Sequence, residues 1–523
     1  MPGFASRLLH RSLLIYGAMA LGGCTMLGPD YQEPEVAWLD DWQPSYYPKA
    51  ATRKERHEAD LRFWWHRFND PVLNRLIEAA KQDNLSLRIA GLRILESRAL
   101  LGIAGSSLYP QVQQASGALS YVNTRQRGGD LPDVSQSLVG YQLGFNMAWE
   151  LDFWGRFQRG IESADAAFFA SIANQQDVQV LISAQAADLY FAYRTTQARI
   201  AIARENAAIQ KRSFEITERI FNSGGDSELD LQQAKTQYLA TLSTIPQREL
   251  DLTNIRNALC ALLGRPPGDL PELAGAGYEL PAVDSAGIQA IPARLLTRRP
   301  DIRAAAWQVA AQSAQIGIAE ADYYPAISLL GAIGWSGSSL SGSPTVGNLG
   351  VGPALSWNIF DYGRIENNVR LQDALLQQLI EQYQETVLQA ALEIDDAAIG
   401  VVKTAEQEAI LDQSVSAARR ALEIANTRYR EGYSDFQRVL DAQRALFAQA
   451  ESQLINQGSH ISSVIGLYKG LGGGWEQTPV EQLIPTEVRH IMQERSDWGN
   501  LLTAPIPDSR TNPPTAPGAS QNE

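Results

Sequence analysis

The sequence predicts an α+β membrane protein built from two copies of one unit, each copy supplying a pair of β-strands and a long helical hairpin. Three observations carry the prediction. A leader ends in a cysteine, two segments alternate strictly between apolar and polar residues, and two very long stretches lack helix breakers almost entirely.

In the leader, Arg7 and Arg11 form a basic start, and Leu13 to Leu21 an apolar core too short to span a bilayer. It closes on Leu21-Gly-Gly-Cys24, the form of a bacterial lipoprotein box in which the cysteine becomes the lipidated first residue; the plainer alternative is an ordinary signal peptide with a chance cysteine. Thr25, rather than Asp, follows it, which in such lipoproteins directs export to the outer membrane. One lipid group anchors only moderately, so a second membrane attachment is expected. After Cys24 no apolar run reaches the length of a membrane-spanning helix, so a mature chain that crosses a membrane must use strands.

Composition narrows the classes. The chain has 523 residues, 45% apolar and 20% charged, which is globular rather than disordered. A net charge of −14 and no basic run argue against nucleic acid as a partner. The other cysteine, Cys260, sits in an apolar helical context and reads as a buried thiol.

The repeat comes next. Trp149-Glu-Leu-Asp-Phe-Trp-Gly-Arg156 matches Trp357-Asn-Ile-Phe-Asp-Tyr-Gly-Arg364 at an offset of 208 residues, and Gly224 matches Gly432 and Ala234 matches Ala442 at the same offset. Leu108-Tyr-Pro110 matches Tyr323-Tyr-Pro325 at 215, so a small length change lies between. Within each unit the order is helix, two strands, very long helix, helix. Ile161 to Ser223 holds no Gly or Pro, and Arg364 to Glu431 only Gly400. Each stretch as a helix spans roughly 100 Å. Gly224-Gly225 and Gly432 mark the reversals. Helices alone leave an ordinary coiled coil open.

The strands argue against that. Val139 to Leu151 alternates without error: Tyr141, Leu143, Phe145 and Trp149 fall on one face, Gln142, Asn146 and Glu150 on the other. Leu349 to Ile359 repeats the pattern, with Leu355 and Trp357 opposite Ser356 and Asn358. The first strands of each pair, near Val112–Tyr121 and Ile327–Trp335, alternate less cleanly. Apolar-out and polar-in is the membrane-barrel pattern, which makes the first group lipid-facing and the second lumen-facing; the Trp residues near strand ends suit an aromatic girdle. Four strands cannot close a barrel, and open edges in lipid leave backbone groups unpaired, so the chain must oligomerise: two copies give eight strands, three give twelve.

With these features the chain resembles the TolC-like outer-membrane efflux proteins, and within them the NodT/OprM-type lipoproteins. The resemblance is carried by Gly28-Pro-Asp-Tyr-Gln-Glu-Pro34, Trp64-Trp-His-Arg-Phe-Asn-Asp-Pro71, Arg298-Arg-Pro-Asp-Ile-Arg303, the two Gly-Arg strand ends and Leu471-Gly-Gly-Gly-Trp475, over about residues 24–475. It implies a homotrimer, a twelve-stranded outer-membrane β-barrel continued by a long periplasmic α-helical barrel, and a mixed equatorial domain. It further implies partnership with a periplasmic adaptor protein and an inner-membrane pump of the resistance-nodulation-division type, with no cofactor or metal. The expected partition is a leader over 1–23, an anchor and equatorial segment over 24–70, repeats over 71–264 and 293–475, an equatorial linker over 265–292, an equatorial C-terminal segment over 476–502, and a disordered Pro/Ser/Thr-rich tail over 503–523.

The resemblance also implies a gate at the periplasmic helix ends, where aspartates form rings. Asp230, Tyr429 and Asp441 stand at the matching positions. Arg438 stands where TolC has an Asp, and Ser434 where it has a basic residue, so an Asp230–Arg438 contact is the expected replacement. The alternative is that these are solvated charges on helix faces. No metalloprotease, nucleophile-elbow or P-loop pattern appears, which argues against an enzyme. Within the transport class, a duct for type I protein secretion is the alternative to drug-type efflux.

Overall fold

The computed structural model describes residues 25–39, 42, 61–126, 134–225, 227–275, 277, 279–281, 293–337 and 345–507. Cys24 and residues 508–523 lie outside these. In chain order the regular elements are α1 (Pro71–Asp83), α2 (Leu85–Ser106), β1 (Val112–Gln126), β2 (Val134–Leu151), α3 (Arg156–Asn222), α4 (Glu228–Leu262), α5 (Pro300–Ala321), β3 (Ala326–Gly337), β4 (Val346–Ser356), α6 (Arg364–Arg430), α7 (Phe436–Gly470), α8 (Val480–Leu483) and α9 (Thr486–Arg495). Short 3-10 turns lie at Trp64–Phe68, Pro271–Leu273 and Ala293–Arg298.

α3 and α6 are each 67 residues long, about 100 Å. Each ends where a glycine takes a left-handed backbone, Gly224 at φ +79° and Gly432 at φ +76°, a conformation that costs other residues a Cβ clash. The return helices are then capped by side chains at equivalent places: Ser227 Oγ accepts the Asp230 N–H at 3.2 Å, and Asp435 Oδ1 accepts the Arg438 N–H at 3.4 Å.

The helices form a layer four wide at both levels. Near the strands the order is α2, α3, α5, α6; toward the hairpin tips it is α4, α3, α7, α6. Position in the layer explains burial: α3, in the middle, buries 26 residues, whereas α6, at an edge, buries 11 over the same length.

The four strands form one antiparallel sheet in the order β1-β2-β3-β4. β4 stops at Ser356, so Trp357 and Asn358, expected within the strand, lie just beyond it. The last ladder pair is Ala326 with Ser356, and the next position on β3 is Pro325, which has no N–H to offer.

One face of the helix layer is covered. Trp64, Trp65, Phe68 and α1 pack with Tyr190, Phe191 and Tyr468 into the main core, and α8 and α9 close a second cluster over Ile94, Leu95, Phe168 and Ile172. The segment 503–507, expected to be tail, belongs to this covering: Arg98 donates to the carbonyls of Leu501, Ala504 and Pro505 at 3.2, 2.8 and 2.7 Å. Cys260 is buried, 3.5 Å from the Gly268 carbonyl. Among the described residues no helix is long and apolar enough to cross a membrane.

Candidate functional site

The ladder register decides how side chains of different strands share a face. Leu143 sits between Gly117 and Trp335, Phe145 between Ala115 and Ile333, and Leu355 opposite Ile327. Gln142, between Ala118 and Ser336, and Asn146, between Gln114 and Ala332, lie on the other face. The result is one face dominated by Leu, Ile, Phe, Tyr and Trp, which also carries Gln113, Ala115, Gly117 and Gly331, and one dominated by Gly, Ala, Ser, Asn and Gln, interrupted by Val112, Val122, Val346 and Leu330. In the irregular strand β1, Leu119 and Tyr121 join the apolar face beside Tyr141 and Val139, and Gln113, Ala115 and Gly117 share it. Leu119, Leu349 and Val351 are 70–77% exposed in a single chain, so no described residue covers that part of the face.

At the foot of the sheet both tryptophans are tied to helix ends. Trp149 donates its indole N–H to the Leu108 carbonyl at 3.1 Å, and Trp357 to the Tyr323 carbonyl at 2.9 Å. Glu150 lies 3.7 Å from Arg156 at the same level. The N-terminal segment crosses here. Arg159, 2% exposed, donates to the carbonyls of Leu27 and Gly28 and to Asp30 and Glu162 at 2.7–3.1 Å. Gly28 approaches Gly317 so closely that a Cβ would sit 2.4 Å from the Gly317 Cα.

Below the sheet, on the uncovered side of the helix layer, α2, α3, α5 and α6 together line a concave groove of about 610 Å³. Arg93, Glu96, Asn174, Gln308, Gln312 and Gln372 face it. Its floor is cross-linked by amides: Gln312 donates to the Gln372 side chain at 2.8 Å, and Gln315 to Ser163 Oγ at 2.8 Å.

Buried and half-buried ion pairs brace the wall. Asp70 caps α1 through the Val72 and Leu73 N–H groups and accepts Tyr190 Oη at 2.8 Å and Arg194 at 2.5 Å. Farther down, Glu451 on α7 receives Arg199 of α3 at 2.7 Å and Arg248 of α4 at 2.5 Å. Burial raises that carboxyl, but the two guanidiniums outweigh it and hold the pKa below the usual range. A small cavity of about 90 Å³ collects Asp177, Arg299, Asp301, Glu393 and Lys469. Burial, reinforced by the Asp301 charge, pushes the Asp177 pKa up to about 6.

The four expected gate residues all lie near the hairpin tips, with partners the sequence did not suggest. Within one chain Asp230 accepts Ser227 Oγ at 2.6 Å, and Arg438 lies 3.8 Å from Asp435. Tyr429 stacks obliquely on Phe436 at 5.2 Å, in a cluster with Ala234, Leu422, Val439 and Leu440. Asp441 accepts Gln437 at 3.0 Å and lies 3.4 Å from Arg444. Sequence reasoning missed Arg444, whose Nε donates to Gln237 Oε1 on α4 at 2.5 Å and so links the two hairpins. Its three-residue spacing from Asp441 was the available signal.

The model of the outer membrane efflux protein family matches residues 76–265 and 291–473. The solvent efflux pump outer membrane protein SrpC of Pseudomonas putida is 32% identical over 475 residues, covering 89% of this chain and 98% of the relative. A probable outer membrane lipoprotein, SilC of Salmonella typhimurium, is 29% identical over 457 residues, covering 87% and 96%. The solved structure of the outer-membrane channel OprN superposes with a TM-score of 0.75 at 32% identity, over 86% of this chain and 99% of that one.

Proposed function

The chain belongs to the outer membrane efflux protein family and serves as the outer-membrane exit duct of an efflux system, and we propose that it does so as a homotrimer anchored by a lipid on Cys24. One observation carries the assembly: the sheet and the helix layer are both four elements wide, with two open edges each. Three copies close both at once, into a twelve-stranded barrel and a twelve-helix tunnel, and closure satisfies the edge groups that lipid cannot.

In that assembly the face of Tyr141, Leu143, Phe145, Trp149, Leu355 and Trp357 meets lipid. Gln142, Asn146, Glu150, Ser356 and Asn358 line the lumen, and the concave groove, where amides alternate with Leu100, Val178, Leu379 and alanines, continues it downward. The duct performs no bond chemistry; it offers a water-filled path in which polar, weakly charged walls bind little. A periplasmic adaptor engages the helix tips and an inner-membrane pump supplies the driving force and selects the substrate, small toxic compounds such as drugs or solvents. At the tips Asp230 and Asp441 supply rings of carboxylates, and the Tyr429 and Arg438 regions hold the resting end shut by several modest, partly exposed links.

Native mass spectrometry in detergent tests the assembly. Three chains are expected, and a stable monomer with an intact sheet overturns it. Mass spectrometry of the mature N-terminus tests the anchor, with a diacylglycerol-modified Cys24 as the expected first residue.

A further inference from the structure

We infer that Arg159 is the positioning residue of the lipid anchor: it clamps residues 27–30 at the foot of the sheet, so that acyl chains on Cys24 enter the membrane at the depth where the sheet ends. This rests on the reading of Cys24 as the lipidated residue and adds what sets the anchor's height. Residues 25–36 form neither helix nor strand. A chain end of that kind, with no ladder to pair its backbone, is ordinarily loose. Here three successive carbonyls accept from side chains of both halves of the chain. Arg159 on α3 donates Nε to Leu27 at 2.8 Å and Nη2 to Gly28 at 3.1 Å, and Ser313 on α5 donates to Pro29 at 3.3 Å. The Leu27 N–H in turn donates to the Trp154 carbonyl at 3.3 Å.

The guanidinium is itself held. Its Nη1 donates to Glu162, one turn along α3, at 2.7 Å, and its Nη2 also reaches Asp30 at 2.8 Å. A planar fork bonded on all three nitrogens keeps one orientation. Backbone contact fixes the same register. Gly28 sits at φ +82°, and a Cβ on it would lie 2.4 Å from the Gly317 Cα; one on Gly317 would lie 2.4 Å from the Leu27 carbonyl oxygen. A Cβ on Gly155 would lie 2.9 Å from the Met26 Cα. Sliding the segment by one residue would put Leu27 or Pro29 where no Cβ fits. Beyond the clamp Tyr31, 4% exposed, enters the main core. The run Gly28-Pro-Asp-Tyr31 thereby supplies a bare backbone, a partner for Arg159 and a core residue within four positions.

Chain length converts this clamp into a limit on depth. Cys24 precedes Leu27 by three residues, so its Cα lies within about 10 Å of the Leu27 Cα. Leu27 is bonded to Trp154, three residues beyond the end of β2. Held only at Tyr31, seven residues away, the cysteine would have a reach of about 25 Å. That is most of the ~30 Å hydrocarbon thickness of a bilayer. One lipid group binds a membrane only moderately. It reinforces the barrel when its acyl chains stay within reach of the leaflet in which the barrel is seated, and Arg159 supplies that condition.

The test uses the full-length protein, purified with its lipid and reconstituted in phospholipid vesicles. Met26→Cys carries a nitroxide, with Cys24 blocked by its lipid and Cys260 buried. An immobilised spectrum at a single depth, read from oxygen and nickel-chelate accessibility, is expected. Arg159→Met and Gly28→Ala should each add a mobile component and spread the depth, and Arg159→Lys, which keeps the charge and part of the bonding, should fall between. Gly28→Ala leaves α3 untouched and serves alone if Arg159→Met fails to fold. In cells either change should lower the yield of heat-resistant trimer several-fold, and should have no further effect in an unlipidated form, Cys24→Ser behind a cleavable signal peptide. An equal loss in both forms makes Arg159 an ordinary core residue and overturns the proposal, as does an immobile label in the variants. A lipidated Cys24 with a mobile label in the native protein overturns the proposal and leaves the anchor standing; an unmodified Cys24 by mass spectrometry overturns both.

Discussion

Trp357 donates its indole N–H to the Tyr323 carbonyl at 2.9 Å, tying the foot of the last strand to the end of the helix before its partner strand. Trp149 makes the same bond to Leu108 in the first unit. Each bond serves a carbonyl at the end of a helix, where intrahelical partners have run out. Trp357→Phe keeps an aromatic ring and removes the bond. It should cost about 0.5–1.5 kcal/mol, read as a lower midpoint for thermal loss of the trimer in detergent, without a change in channel conductance.

The two sheet faces should respond oppositely to charge. Leu143→Arg and Leu355→Arg place a guanidinium on the apolar face and should cost about 2–4 kcal/mol at mid-bilayer depth, seen as loss of folded protein in lipid vesicles. Asn146→Arg, on the polar face, should fold normally and shift ion selectivity toward anions in planar bilayers. Equal damage from both faces would show that the sheet is not a lipid-bounded barrel.

The core pair Asp70–Arg194 predicts a large asymmetric effect. Arg194→Met leaves a buried carboxylate with only Tyr190 and the cap N–H groups, at a cost of about 3–5 kcal/mol. Adding Asp70→Asn should recover part of the loss, because Asn keeps the α1 cap without the charge. Denaturant midpoints of the two variants give the comparison.

Asp177 should make stability depend on pH in a defined window. Its pKa is raised from 3.8 to about 6 in the folded protein, so folding takes up a proton between those values and stability falls as pH rises through them. Asp177→Asn removes that loss. The variant should match the native protein near pH 4 and exceed it above about pH 6, by roughly 1–3 kcal/mol, measured as the difference between thermal midpoints across the range.

At the hairpin tips, Arg444→Ala cuts the link to Gln237 and leaves Asp441 with Gln437 alone. It should raise single-channel conductance in planar bilayers, as should Tyr429→Phe with Arg438→Ser, while Asp230→Ala with Asp441→Ala should lower cation preference. Unchanged conductance and selectivity in all three would place the constriction elsewhere.

The long helices were legible because a breaker-free run bounded by Gly224 or Gly432 has one plausible backbone, and the clean strand β2 was legible because alternation needs no partner to be seen. β1 was legible as a strand near Val112–Tyr121 but not in its faces, since its mixture of Ser, Ala, Gly and Gln is assigned to lipid or lumen side only when Leu119 is placed beside Tyr141. The end of β4 was misjudged because Pro325, which halts the ladder, lies just before the partner strand.

The sequence by itself determined the periodicities, the two-unit plan, the reversal points and the family resemblance, all of which reside in local residue order. Only the tertiary structure decided that Arg444 reaches Gln237 while Asp230 and Arg438 turn to their own caps, that Arg98 secures residues 501–505, and that amides from α5 and α6 meet beneath the sheet. The physical reason is range. Helix and strand propensities are set by neighbours a few residues apart, whereas a hydrogen bond or ion pair between residues some 200 positions apart depends on how rigid elements are rotated and staggered against one another, and long polar side chains then choose among several partners within reach.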